Sequence, residues 1–100
     1  MDVIINHTDN RTLVELKGRI DTTSADQFQQ DISPLMEGDR PDIDIDCSEL
    51  DYTSSQGLRI FLLLQKSVNA RNGRMVIRNM SPQVKEVFDI TGFSNIITIL

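Results

Sequence analysis

The sequence predicts an α/β domain: a mixed β-sheet of four to five strands with helices packed mainly on one face. Three observations carry that prediction. Apolar, β-branched runs alternate along the chain with segments of helical period in the order β-β-α-β-α-β-α-β, the arrangement of a sheet with parallel neighbours. Asp42, Asp44 and Asp46 alternate with Ile43, Ile45 and Cys47, so this strand has one polar and one apolar face. A parallel sheet covered on both sides would show nearly continuous apolar strands, and the alternation therefore places the helices on one side. Finally, 100 residues bury roughly two thirds of their unfolded surface around one core, which makes residues 1–100 a single domain.

The elements follow in order. Val3 to His7 reads as an edge strand, with Asp9-Asn10 as the polar turn behind it. Arg11 to Lys17 alternates around Val14 and Leu16, and Gly18-Arg19-Ile20-Asp21 breaks that strand. Ser24 and Gln27 match a capping box, followed by a helix whose apolar face is Ala25, Phe28, Ile32, Leu35 and Met36. Pro34 kinks or ends that helix. After the alternating strand of aspartates, Ser48 to Thr53 reads as a loop, and Ser54 to Ala70 as a central helix with Phe61 and Leu62 in its core face. Asn72-Gly73 ends this helix, Arg74 to Arg78 is a strand, and Ser81-Pro82 opens a helix with Val84, Val87 and Phe88 facing inward. Gly92 stops it, and Ile96 to Leu100 is a last short strand or a terminal extension on the core.

Ten basic against 15 acidic residues leave a net charge of -5, which repels phosphate backbones and makes nucleic acid a poor partner. No apolar run approaches the roughly 20 residues of a membrane span, so direct membrane insertion is not expected. Met1 to Asn10 lacks the basic-then-apolar order of a secretory signal. These features predict a soluble, monomeric, cytoplasmic protein. Cys47, the one cysteine, reads as a core thiol in a reducing compartment. No cofactor or metal is expected, and the three alternating aspartates read as a solvated face.

The unusual local chemistry is Asp51-Tyr52-Thr53-Ser54-Ser55-Gln56-Gly57-Leu58, three consecutive hydroxyls between a strand and a buried helix. Two readings share this geometry. The hydroxyls cap free N–H groups of the first helical turn, or one of them carries a phosphate held by those groups and the helix dipole. A serine nucleophile would need a base within hydrogen-bond reach. The single histidine, His7, lies in the first strand, and the chain has no G-x-S-x-G elbow or phosphate loop. No catalytic residue is assigned, and an enzyme is not expected.

Three segments resemble the STAS domain family, in particular its anti-sigma factor antagonists. Gly18-Arg19-Ile20-Asp21 resembles the family's Gly-x-Leu-Asp turn. Asp46 to Leu58 resembles its strand, loop and helix start, where a serine stands two residues before Gly-Leu, here Ser55 before Gly57-Leu58. Ser81 to Phe93 resembles its closing helix. The resemblance implies partner switching: the unphosphorylated domain binds an anti-sigma factor of kinase fold and frees the sigma factor. Phosphorylation at Ser55, with Ser54 and Thr53 as alternative acceptors, releases it, and a phosphatase restores it. It further implies a partner-binding surface of Asp21, Thr22, Thr53, Ser54, Ser55, Gln56, Gly57 and Arg59. The alternative is a STAS subunit that binds a membrane transporter ATPase or a signalling assembly with no phosphoswitch.

Overall fold

The computed structural model describes residues 1–100. The first hairpin forms as its alternating pattern requires: β1 (Asp2–His7) runs antiparallel to β2 (Thr12–Ile20), pairing Val3 with Leu16 and Ile5 with Val14 on the inner face. The remaining strands, β3 (Asp42–Thr53), β4 (Arg74–Arg78) and β5 (Thr98–Ile99), join in parallel, and the spatial order is β1-β2-β3-β4-β5. Three helices make the crossovers: α1 (Ala25–Ile32), α2 (Ser55–Ala70) and α3 (Pro82–Ile90). Short 3-10 turns follow α1 (Ser33–Met36) and α3 (Phe93–Asn95).

The core lies between the helices and one face of the sheet. Val14 and Leu16 of β2, Ile43, Ile45 and Cys47 of β3, and Met75 and Ile77 of β4 point into it. Each helix contributes one fully buried phenylalanine, and the three rings form a row. Phe28 and Phe61 have centroids 5.3 Å apart, and Phe61 meets Phe88 edge-on at 5.4 Å. Such tilted pairs add about 0.5–1.5 kcal/mol each beyond the area they bury. Burial pushes the Cys47 thiol up to about 12, with the charge of neighbouring Asp46 adding to the effect, as befits an inert core thiol.

The outer face of the sheet carries no helix, yet it is not uniformly solvated. Asp42 and Asp46 are half-buried, and Asp44, at the centre of the sheet, is only 6% exposed. Its Oδ2 accepts from Arg78 Nε on β4 at 2.7 Å and lies 3.5 Å from Arg11 Nη1 on the β2 side. The expectation of a solvated aspartate face is corrected at this residue. A central strand is flanked on both sides, so a short carboxylate there loses water and has to be paired.

Four other expectations are revised. β2 does not stop at Gly18: the glycine adopts φ +105°, open to it because it lacks a Cβ, and the strand continues to Ile20. Ser48 to Thr53 is not a loop but the second half of β3, paired with β2 as far as Ile20 and Thr53. Register shifts between Glu15 and Lys17 and between Gly18 and Arg19 each insert one extra residue into β3. The inward positions therefore become Cys47, Leu50 and Thr53, a spacing of three that hides the strand from a period-two reading. The Ser24–Gln27 capping box is not formed; Ser24 makes no cap for α1, and Gln27 Nε2 donates to Asp31 instead. At Pro34 the α-helix has already given way to the 3-10 turn that holds the proline in its first positions.

Leu62 is the fourth revision, half-buried beside fully buried Phe61, while Leu63 is 43% exposed. The leucine run is broader than the face that packs. Phe61→Ala should accordingly destabilise the fold by about 3–5 kcal/mol, and Leu62→Ala by less than about 2 kcal/mol. Equal midpoint shifts for the two variants in urea unfolding would contradict this placement.

Candidate functional site

Parallel strands β2 and β3 end together. Ile20 pairs with Thr53, and the next N–H, that of Ser54, donates to the Ile20 carbonyl at 2.7 Å. Each strand then turns straight into a helix, so the starts of α1 and α2 lie side by side at the carboxyl end of the sheet, where ligand and partner sites of α/β folds collect.

The first turn, after β2, is organised by Asp21. Its Oδ1 accepts from the backbone N–H groups of Thr23 and Ser24, both at 3.0 Å, and from the Thr23 hydroxyl at 2.7 Å. Ser24 Oγ in return accepts from the Asp21 N–H at 2.9 Å, and Ala25 N–H bonds the Asp21 carbonyl. This reciprocal pair is a capping box displaced by three residues from the predicted one, with Asp21 as the cap. Asp21 outcompetes Ser24 because a carboxylate accepts several N–H groups at once and gains from the helix dipole.

The second turn, after β3, separates the three hydroxyls. Thr53 is 4% exposed and its Oγ1 donates to the Ser54 carbonyl. Ser54 is the cap of α2, its Oγ accepting from the Gly57 N–H at 3.2 Å. Ser55 begins the helix, is exposed, and its hydroxyl takes part in no hydrogen bond within the chain. The capping role thus belongs to Ser54, and Ser55 is left facing solvent.

Gly57 lets this happen. A Cβ at Gly57 would overlap Thr53 Oγ1 and lie 2.7 Å from Ile20 Cγ2, so a glycine is required for close approach of the helix to both strand ends. Beside it, α1 and α2 flank a groove of about 280 Å³ lined by Asp26, Gln29, Gln56, Arg59, Ile60 and Leu63, with Ala25 at its base.

Of the predicted partner surface, Thr22, Ser55, Gln56 and Arg59 are exposed, and Asp21 and Ser54 are half-buried. Thr53 and Gly57 are buried and shape the surface from beneath. Sequence reading missed Asp26, Gln29, Ile60 and Leu63. Its usable signal was the spacing of Gln56, Arg59, Ile60 and Leu63, the i, i+3, i+4, i+7 series of one helix face. His7 bonds Thr12 at the opposite end of β2, about 25 Å from the serines by the rise of the strand.

Two outcomes test this geometry. Gly57→Ala gains about 1 kcal/mol of helix propensity, but the overlap with Thr53 and Ile20 should outweigh it and leave the fold about 1–2 kcal/mol less stable in urea; a neutral or stabilised variant would show that the helix start is loose. The Asp21 carboxyl is held at about 2, below its ordinary 3.8, first by the Thr23 hydroxyl and then by the Ser24 N–H. Because the folded value is the lower one, the unfolded chain binds more protons as acid is added. The contribution of Asp21 is complete above about pH 4 and lost as the pH falls toward 2. Asp21→Asn should therefore reduce the steepness of acid destabilisation in that window, measured by denaturant midpoints at each pH, and an unchanged slope would mean that the carboxylate holds nothing.

Comparison with known proteins identifies the family and the fold. The STAS domain family model matches residues 2–100. BtrV of Bordetella bronchiseptica is 30% identical over 96 residues, covering 96% of this chain and 83% of its own. The anti-sigma-B factor antagonist of Bacillus subtilis is 31% identical over 99 residues, 99% of this chain and 90% of its own. The Bacillus cell fate determinant SpoIIAA, an anti-sigma factor antagonist solved in unphosphorylated and phosphorylated forms, superimposes with TM-scores of 0.78 and 0.72 at 20% identity. The two forms cover 99% of this chain, and the chain covers 88% and 91% of theirs. With a matching family model over nearly its full length and a relative 31% identical across 99% of the chain, the chain belongs to the STAS domain family.

Proposed function

We propose that this protein is an anti-sigma factor antagonist that works by partner switching and catalyses nothing itself. Unphosphorylated, it binds an anti-sigma factor of kinase fold and frees the sigma factor; phosphorylated on Ser55, it lets go, and a phosphatase returns it to the binding form. The observation that carries this reading is the division of labour among three hydroxyls. Thr53 is buried, Ser54 is occupied as the cap, and Ser55 is exposed and unbonded at the first residue of α2. A kinase can reach Ser55 without unfolding anything.

The energetics suit a switch. Phosphorylation adds about -1.5 to -2 charges near neutral pH. The helix N-terminus returns only about 0.3–1 kcal/mol to such a group, whereas desolvating it in an interface fitted to a neutral hydroxyl costs several kcal/mol. A loss of about 4 kcal/mol is roughly a thousandfold in affinity. The relatives support the same reading, one being an anti-sigma-B factor antagonist and one being known with and without phosphate. No helix of the chain is long and apolar enough to cross a membrane.

Ser55→Ala is expected to keep its affinity for the anti-sigma factor, and Ser55→Asp to bind about tenfold or more weakly, since a carboxylate brings about one charge where phosphate brings nearly two. Ser54→Ala should lose about 0.5–2 kcal/mol of stability with its cap and still be phosphorylated. Phosphosite mapping after incubation with the kinase and ATP, alongside binding of each variant, decides the matter. Phosphate on Ser54 or Thr53 would move the site. A Ser55→Asp protein that binds like the parent, with no phosphate taken up, would instead favour a constitutive subunit of a transporter or signalling assembly.

A further inference from the structure

Arg59 stands one turn after Ser55 on α2, exposed, and engages in no ion pair or hydrogen bond of the fold. That is notable in a chain with 15 acidic residues to 10 basic ones. The other cations nearest the strand ends are occupied: Arg19 lies 4.7 Å from the centroid of the Tyr52 ring, and Lys17 pairs with Glu49 at 3.2 Å. Lys66, the other basic residue of α2, lies seven positions further along the helix. On the facing helix α1, Asp26 is the acidic group lining the same groove, and it too lacks an ion-pair partner. Asp21, in the adjoining turn, is engaged by Thr23 and Ser24.

Residues four apart on a helix have Cβ atoms about 5–6 Å from one another, and an anion placed N-terminal to a cation is the better orientation. A guanidinium also matches phosphate with two parallel N–H donors, which an ammonium cannot do. We infer that Arg59 is the positioning residue for a phosphate on Ser55, pairing with it across one helical turn and drawing its guanidinium out of the α1–α2 groove. This rests on Ser55 as the phosphorylated residue. Its consequence is a double change at the pole. A dianion appears at the helix start, and the groove loses the cation that faced Asp26, so a partner carboxylate fitted to Arg59 meets net negative charge.

Phosphoserine installed at position 55 during translation tests the contact without the native kinase. In ³¹P NMR titrations of the free protein, the second ionisation of the phosphorylated parent should fall below the ordinary value of about 6. Arg59→Gln should raise it by about 0.3 unit or more, with Arg59→Lys between the two. Salt at about 0.5 M should narrow the difference. In the parent itself, the Arg59 Nε–H resonance should move on phosphorylation, a readout that survives even if a variant folds poorly. An Arg59→Gln titration equal to that of the parent, or an Nε–H resonance that stays in place, overturns the inference and leaves the switch untouched. A phosphorylated parent that still binds the anti-sigma factor at full affinity would sink the switch while the Arg59 contact stands.

Discussion

The contact of Gly57 with Ile20 and Thr53 is the constraint on which the rest of the functional pole depends. Parallel strands β2 and β3 end at the same level, and the N–H of Ser54 is tied to the Ile20 carbonyl. With the chain pinned there, α2 can begin only if its first turn settles directly on the two strand ends, which leaves no room for a Cβ at its third residue. Once the helix is seated, the rotation of its first turn is set. Thr53 points in, Ser54 reaches the Gly57 N–H, and Ser55 points out. Three adjacent hydroxyls of similar chemistry receive three different roles from one backbone contact.

Much of the fold was legible because its signals are local. The alternation of aspartate with isoleucine through β3, the breadth of the apolar run in α2 and the Ser-Pro start of α3 each specify an element and a face. What stayed hidden depends on neighbours distant in sequence. The second half of β3 is invisible to a period-two reading because two bulges, set by pairing with β2, shift its inward residues to Cys47, Leu50 and Thr53. Asp44 looks like its neighbours Asp42 and Asp46 until Arg11, just ahead of β2, and Arg78 of β4 are brought to it. At α1 the correct cap motif was present one turn early, at Asp21 and Ser24 in place of Ser24 and Gln27, and local spacing offered no means of ranking them. At the site, the run of three hydroxyls was legible but which of them faces solvent was not, since that follows from Gly57 and the strand ends together.

The two faces of the sheet also divide labour. The inner face is stabilised by apolar packing and by the row Phe28, Phe61 and Phe88, which couples all three helices to one core. The outer face is held by ion pairs around a single buried carboxylate, Asp44, which Arg78 bonds at 2.7 Å and Arg11 approaches to 3.5 Å. Neither network includes Ser55, Gln56 or Arg59. Those three exposed side chains are therefore mounted on the frame without taking part in either network, while Gly57 and Ser54 beneath them hold the helix start in place.

That separation decides how a single charge can act. Because the Ser55 hydroxyl takes part in no hydrogen bond, modifying it breaks no contact of the fold, and the helix start offers mild compensation to an anion through its dipole. In the proposed switch the free domain therefore tolerates a phosphate at this position. A partner does not have the same compensation, since closing an interface removes the water that screens the added charge, and its surface has to supply new donors or lose affinity. In the proposed switch the identity of the partner is left to side chains around the groove such as Asp26, Gln29, Gln56, Arg59 and Leu63, whose exposed parts pack against nothing inside the fold. The demands of the turn fall on Gly57 and Ser54, and the proposed reading leaves recognition to residues free to change without disturbing it. A fold arranged this way can keep one switch and present it to different partners.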